Sequence, residues 1–86
     1  MHIQSETIQK LIQFGLSEDE ARIYLYLIGK KPQTALEISR ALAVPRTSVY
    51  DHTRRLLENG LIEKVVEYKR SLFKCSSLDA LHRVVH

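Results

Sequence analysis

The 86-residue sequence contains one cysteine, no tryptophan, three glycines and two prolines. A single cysteine excludes an intramolecular disulfide framework and any zinc or iron–sulfur site that needs several cysteine ligands. No apolar run is long enough to span a bilayer, and residues 1–15 lack the uninterrupted apolar stretch of a signal peptide. A chain this short forms one hydrophobic core. We therefore expect a single cytoplasmic domain over residues 1–86, with no membrane association.

Charge is unevenly distributed along the chain. Residues 1–43 carry five basic and five acidic side chains, whereas residues 44–86 carry eight basic and five acidic ones. The whole net charge of +3 therefore lies in the second half. An excess of this size is also common on solvated surfaces, so it does not by itself indicate nucleic acid. It predicts only that a polyanion, if one binds, contacts the C-terminal half.

Capping residues mark three helix starts in the first half of the chain. Ser5 is expected to cap a first helix. Ser17 and Glu20 match the capping box, in which each side chain accepts a hydrogen bond from the backbone N–H of the other residue. Thr34 and Glu37 repeat this spacing. The sequence therefore predicts that a second helix starts at about residue 18 and a third at about residue 35.

The second half predicts a fourth helix and a hairpin. Pro45 suits the first turn of a helix over residues 45–59, and the connection before it is so short that it predicts a helix-turn-helix. From Ile62 onward β-forming residues surround a polar tip at residues 69–71, which predicts a two-stranded hairpin over residues 62–75. Ser76 or Ser77 is expected to cap a last helix. The expected fold is α+β and mostly α: a winged helix-turn-helix with a two-stranded β wing, a core over residues 14–75, and flanking helices over residues 1–13 and 76–86.

Four segments resemble the DNA-binding domain of the TrmB-like transcriptional regulators. They are FGLSEDEARIYL at 14–25, TALEI at 34–38, VPRTSVYD at 44–51 and ENGLI at 58–62. The resemblance runs from about Phe14 to Phe73, and its most specific part is the segment that begins the fourth helix. It implies a mostly archaeal type of regulator. Two departures are the polar His52 and Thr53 at positions where the family usually has aliphatic residues. The chain also has no room for the sugar-binding domain that many relatives carry, so no small-molecule domain is expected in it.

The outer face of the fourth helix contains the candidate base contacts. A helical turn of 100° per residue points Val49 and Thr53 inward and leaves the other side exposed. In a helix-turn-helix this exposed face meets base edges in the major groove. Arg46 is expected to contact a base or a nearby phosphate, because a cation beside the positive end of a helix dipole is poorly placed without an anion. Tyr50 fits a phosphate contact and a half-buried packing role equally well.

The wing and one helix start supply further candidates. Lys69 and Arg70 at the hairpin tip can neutralise phosphates, although charges there also prevent edge-to-edge strand pairing. Thr34 can present backbone amides to a phosphate, although capping alone explains it. The complete set of predicted DNA-binding residues is Thr34, Arg46, Thr47, Ser48, Tyr50, Arg54, Lys69 and Arg70.

These features predict a sequence-specific, double-stranded DNA-binding transcriptional regulator. The recognition helix over residues 45–59 would enter the major groove, and the wing over residues 62–75 would lie on the backbone. Since one domain of this size buries little surface on DNA, a homodimer on palindromic DNA is expected, with the flanking helices as candidate dimerisation elements. No catalytic residue set, metal site or cofactor is predicted. The alternatives are a winged helix protein-interaction adaptor that binds no DNA, and an N-terminal fragment of a longer regulator.

Overall fold

The computed structural model describes residues 2–76, with side chains from residue 8 onward. It has four helices and a three-stranded antiparallel sheet: α1 (His2–Phe14), α2 (Glu18–Leu27), β1 (Gln33–Thr34), α3 (Ala35–Leu42), α4 (Arg46–Glu58), β2 (Ile62–Glu67) and β3 (Arg70–Cys75). This architecture confirms the predicted α+β winged helix. The predicted last helix, from Ser76 or Ser77 to the C-terminus, lies outside the described residues. Among the described helices, none has the length and apolar character needed to cross a membrane.

Both predicted capping boxes are confirmed. The Ser17 hydroxyl accepts a hydrogen bond from the Glu20 N–H at 3.1 Å, and Glu20 Oε1 accepts one from the Ser17 N–H at 2.9 Å. At the start of α3, the Thr34 hydroxyl accepts from the Glu37 N–H at 3.1 Å, and Glu37 Oε1 accepts from the Thr34 N–H at 2.8 Å. These reciprocal bonds satisfy backbone donors that have no partner within the helix, and they set the first residues of α2 and α3.

Two helix boundaries differ from the prediction. The α1 helix begins at His2 rather than after Ser5, because no glycine or proline in this segment interrupts the helical backbone. The recognition helix α4 covers Arg46–Glu58, so Pro45 is its N-cap and Asn59 its C-cap. Pro45 has no backbone N–H and a fixed φ. These properties suit the N-cap position as well as they suit the predicted position in the first turn.

A tight turn joins α3 to α4. Ala43 ends α3 in the left-handed conformation with φ of 56°, and its N–H donates to the Ser39 carbonyl. The Ser39 hydroxyl donates to the Val44 carbonyl at 2.6 Å, and Arg22 Nη2 from α2 donates to the Leu42 carbonyl at 2.9 Å. These bonds satisfy carbonyls at the end of α3 and fix the direction in which α4 leaves the turn.

The sheet has one strand more than predicted. The hairpin strands β2 and β3 pair antiparallel as expected, but the two-residue β1 also pairs with β3, which gives the order β1-β3-β2. The expectation of a two-stranded sheet is therefore wrong. The predicted tip at residues 69–71 is also displaced: the pairing of Glu67 with Arg70 leaves Tyr68 and Lys69 as the turn, so Arg70 and Ser71 belong to β3.

The hydrophobic core joins all four helices to the sheet. As predicted, α4 turns Val49 and Thr53 inward, with exposed fractions of 0% and 2%. The Thr53 hydroxyl donates to the Val49 carbonyl at 2.9 Å, so its polar atom is satisfied inside the helix. The fully or almost fully buried core side chains include Leu11, Ile23, Tyr24, Leu27, Ile38, Val49, Leu56, Leu61 and Phe73. This core packs the inner face of α4 and leaves its outer face to solvent.

Candidate nucleic-acid interface

The start of α4 presents polar side chains and free backbone donors to solvent. Arg46, Thr47 and Tyr50 are exposed, and Ser48 is half-buried. No side chain caps the helix, and its first turn contains no acidic residue. The backbone N–H groups there and the positive end of the helix dipole both favour an anion. This end of α4 can therefore accept a negatively charged ligand.

A first cleft lies between the start of α3, the first turns of α4 and strand β3. Its volume is about 280 Å³, and it brings together four of the predicted site residues. Thr34, Arg46, Tyr50 and Arg70 all line this cleft. Residues from three elements separated in sequence thus share one surface, because β1 and β3 are paired beside the recognition helix.

Thr34 in this cleft is already engaged by its own helix. Its hydroxyl donates to Glu37 Oε1 at 3.1 Å and accepts from the Glu37 N–H, while its own N–H donates to Glu37. Three contacts lower the pKa of Glu37. The largest effect comes from the hydrogen bond of the Thr34 backbone N–H, the next from the Thr34 hydroxyl, and a weaker one from the charge of Arg70. Thr34 therefore forms the wall of the cleft with its polar atoms bonded to Glu37.

A second cleft lies between α4 and the hairpin. It has a volume of about 220 Å³, and Tyr50 lines both clefts, so the two clefts are neighbours on either side of this residue. Arg54 lines this cleft, as does Lys64. The Arg54 guanidinium lies 3.5 Å from Asp51, but both side chains are more than two-thirds exposed, and such pairs contribute little to stability. Arg54 is therefore available to an incoming phosphate.

Lys64 lines the second cleft and was missed by the sequence reasoning. It lies on β2 opposite Phe73, and residues directly opposite each other in an antiparallel pair point to the same face. Since Phe73 is buried in the core, Lys64 is on the face that meets α4. The available signal was the alternation along β2, which puts Lys64 on the same face as the buried Ile62.

The remaining candidates lie outside both clefts. Thr47 is exposed on the first turn of α4, and Ser48 is half-buried beside it. Lys69 is exposed in the turn of the hairpin. These residues do not contribute to the walls of either cleft.

The charged residues that line the two clefts are all basic. The lining contains Arg46, Arg54, Lys64 and Arg70 and no carboxylate. Asp51 lies near Arg54 and Glu37 feels the charge of Arg70, but the cations are in excess. Such an excess focuses a positive potential, which attracts a polyanion and suits contacts to a phosphate backbone. Within residues 2–76, no cluster of three or more histidine, cysteine or carboxylate side chains is arranged to bind a metal ion.

The family model described as "Sugar-specific transcriptional regulator TrmB" matches residues 11–79. The chain belongs to the TrmB family. Family membership confirms the resemblance seen in the sequence, and the family is one of transcriptional regulators. The HTH-type sugar sensing transcriptional regulator TrmBL1 of Pyrococcus furiosus is 32% identical over 63 residues, which cover 73% of this TrmB-family chain and 18% of that relative. The chain thus spans less than a fifth of the length of this relative.

Proposed function

We propose that this chain binds double-stranded DNA sequence-specifically, with α4 in the major groove and the β2–β3 wing along the flanking backbone. The observation that carries the proposal is the pair of neighbouring clefts beside α4, whose lining contains four cations and no carboxylate. An α-helix fits the major groove, where each base pair presents a distinct pattern of donors and acceptors. Cations on either side of such a helix fix its register through phosphates.

Arg46 is the proposed base-reading residue. It is exposed at the first residue of α4 and lines the cleft between α4 and β3. The first turn of a recognition helix penetrates deepest into the groove, and a guanidinium can donate two hydrogen bonds to the O6 and N7 acceptors of guanine. Thr47, Ser48 and Tyr50 follow it within the first two turns and are proposed to supply short contacts to bases and phosphates.

The cations outside the first turn of α4 are proposed to hold phosphates. Arg70 faces the first cleft, Arg54 and Lys64 line the second, and Lys69 lies in the wing turn. Each phosphate neutralised contributes a slope of about −0.9 to the logarithm of affinity against the logarithm of salt concentration. With about four phosphates per subunit, a dimer is expected to give a slope near −7.

A homodimer on a palindromic site is proposed as the binding unit. A single module of this size buries about 600–1,000 Å² on DNA, which is small for tight binding, and two-fold symmetry doubles the contact. Sedimentation of the chain with a palindromic duplex measures the stoichiometry directly. Two chains per duplex are expected, and a complex with one chain at saturation would contradict the dimer.

The test of the proposed function compares two variants on two DNA sequences. Selection from a random duplex library first supplies the preferred site. Arg46→Ala is then expected to cost about 1–3 kcal/mol on that site and to remove the preference at one position per half-site. Changing both Lys69 and Arg70 to Ala is expected to weaken preferred and scrambled DNA alike and to make the salt slope shallower.

Each outcome of this test assigns a role. If Arg46→Ala weakens both sequences equally, Arg46 binds a phosphate and base reading belongs to Thr47, Ser48 or Tyr50. If no sequence is enriched and the salt slope is shallower than about −2, the proposal fails and the protein-interaction adaptor becomes the better explanation. An adaptor has no need of four cations lining the clefts beside α4, which is why DNA is preferred here.

A further inference from the structure

The wing turn has an unfavourable backbone for the residues that occupy it. Tyr68 and Lys69 are the two central residues of the β2–β3 turn, and their φ angles are 50° and 64°. Positive φ at both positions is the signature of the type I′ turn, which strongly prefers Asn-Gly or Asp-Gly. A bulky aromatic residue is an outlier in this region, because its Cβ approaches the backbone carbonyl.

No contact within the described part of the chain offsets this strain at Tyr68. Its side chain is 91% exposed, the highest value among the exposed large hydrophobic residues. Its neighbour on β2, Val66, is 64% exposed. The wing thus ends in apolar surface that stabilises nothing in the folded domain, and strain of this kind is found where a residue serves a ligand.

This apolar tip continues the cationic cleft surface. Val66 pairs with Ser71, so both point to the face of the hairpin that also holds Lys64. Ser71 lines the first cleft and Lys64 the second. At about 3.3 Å per residue, the end of β2 at Glu67 lies some 10 Å beyond Lys64, and Tyr68 follows it in the turn. A ligand that rests on the clefts and extends past the end of β2 therefore contacts the Tyr68 ring.

We propose that Tyr68 is a DNA contact at the wing tip, where its ring packs against sugars and base edges of the minor groove next to the major groove that holds α4. This inference rests on the proposed function. Apolar side chains are used in this way by proteins that bind the minor groove. Lys69 in the turn and Arg70 at the start of β3 neutralise the phosphates of the same groove, so the wing tip combines one apolar contact with two ionic ones.

The test substitutes the residue that the turn prefers. Asn accepts the left-handed conformation far better than Tyr, so Tyr68→Asn is expected to raise the midpoint of thermal unfolding. The same change is expected to lower DNA affinity about tenfold, since an aromatic contact is lost. The salt slope is expected to stay unchanged, because the tyrosine is uncharged. Stability and binding therefore move in opposite directions.

Two matched variants isolate the ring. Tyr68→Phe keeps the apolar surface and is expected to bind within about twofold of the native chain. Lys69→Asn changes the adjacent residue of the same turn, so it is also expected to raise the unfolding midpoint. It removes one phosphate contact, however, and its salt slope is expected to become shallower by about 0.9 per subunit.

The outcomes separate this inference from the proposed function. If Tyr68→Asn binds as tightly as the native chain while Arg46→Ala weakens binding, the contact is refuted and the proposed function stands. If Tyr68→Asn lowers stability and binding together, the ring is a structural element and the inference is again overturned. If the native chain binds no DNA at all, both proposals fail.

Discussion

The carboxylate of Glu20 lies 3.0 Å from Arg55, measured between Oε2 and Nε, and joins α2 to the recognition helix. Its other oxygen accepts the Ser17 N–H, so one side chain both caps α2 and holds α4. Glu20 is only 3% exposed, and a buried charge is tolerated when it is paired and hydrogen-bonded. His52 Nδ1 lies 3.8 Å from the same oxygen. This contact helps to fix the orientation in which α4 presents its outer face.

The first prediction concerns the two capping boxes. Glu20→Ala removes a capping bond and the ion pair with Arg55, and we expect it to lower the free energy of unfolding by about 2 kcal/mol. Glu37→Ala removes the same kind of cap from an exposed position and is expected to cost about 1 kcal/mol or less. Urea unfolding of both variants measures the difference. Equal losses would show that the contact between Glu20 and Arg55 contributes nothing.

The second prediction concerns pH. Hydrogen bonds from Thr34 lower the pKa of Glu37 in the folded chain below its ordinary value of 4.5. A lowered pKa means that the ionised carboxylate stabilises the fold above pH 4.5, and that this contribution is lost as the pH falls through the lower, folded value. The native chain is therefore expected to be more stable than Glu37→Gln near neutral pH and to lose that advantage in acid. A difference in the free energy of unfolding between the native chain and Glu37→Gln that stays constant across this pH range would contradict the prediction.

The third prediction concerns a buried hydroxyl. Tyr24 is fully buried, and its hydroxyl has no hydrogen-bond partner of acceptable geometry among the described residues. Burial, and next the neighbouring Cys75 side chain, raise the pKa of Tyr24. Removing an unsatisfied hydroxyl relieves a desolvation cost, so Tyr24→Phe is expected to leave the free energy of unfolding unchanged or raise it by about 1 kcal/mol. Leu27→Ala in the same helix is the control and is expected to cost about 2–5 kcal/mol.

The fourth prediction concerns Thr53 on the inner face of α4. Its hydroxyl donates to the Val49 carbonyl, which is also the helical partner of the Thr53 N–H, so replacing the hydroxyl leaves no acceptor unpaired. Thr53→Val is expected to change the free energy of unfolding by no more than about 0.5 kcal/mol. Thr53→Ala also removes a buried methyl group and is expected to cost about 1 kcal/mol. A large loss with valine would assign the hydroxyl a structural role.

Local sequence signals were sufficient for the starts of α2 and α3. The boxes of Ser17 and Thr34 fix helix starts through bonds between residues three apart, so they are visible in the sequence. Strand β1 was missed because two residues carry no periodicity, and its pairing with β3 depends on how the chain packs. The position of the hairpin tip was predicted incorrectly because neither Tyr68 nor Lys69 is a usual turn residue.

The site was predictable in part for the same reason. Arg46 and Tyr50 follow from the turn angle of one helix, and they do share a cleft. Lys64 could be assigned only once the register with Phe73 was known, since a shift of one residue would turn it to the other face. Tyr68 counted in the sequence as a β-former, and its importance comes from its φ angle and exposure, which no local pattern indicates.

The two-residue strand β1 also has a consequence for the order of folding. Its pairs, Gln33 with Phe73 and Thr34 with Leu72, join segments about forty residues apart, whereas the β2–β3 hairpin closes across two residues. Closing a long loop is slow, so this pairing is expected to form after the hairpin and the helices between the two segments. Because Thr34 is at once the last residue of β1 and the N-cap of α3, the last pairing of the sheet also fixes the start of the helix-turn-helix. We therefore expect the chain to gain and lose its binding surface in a single cooperative transition.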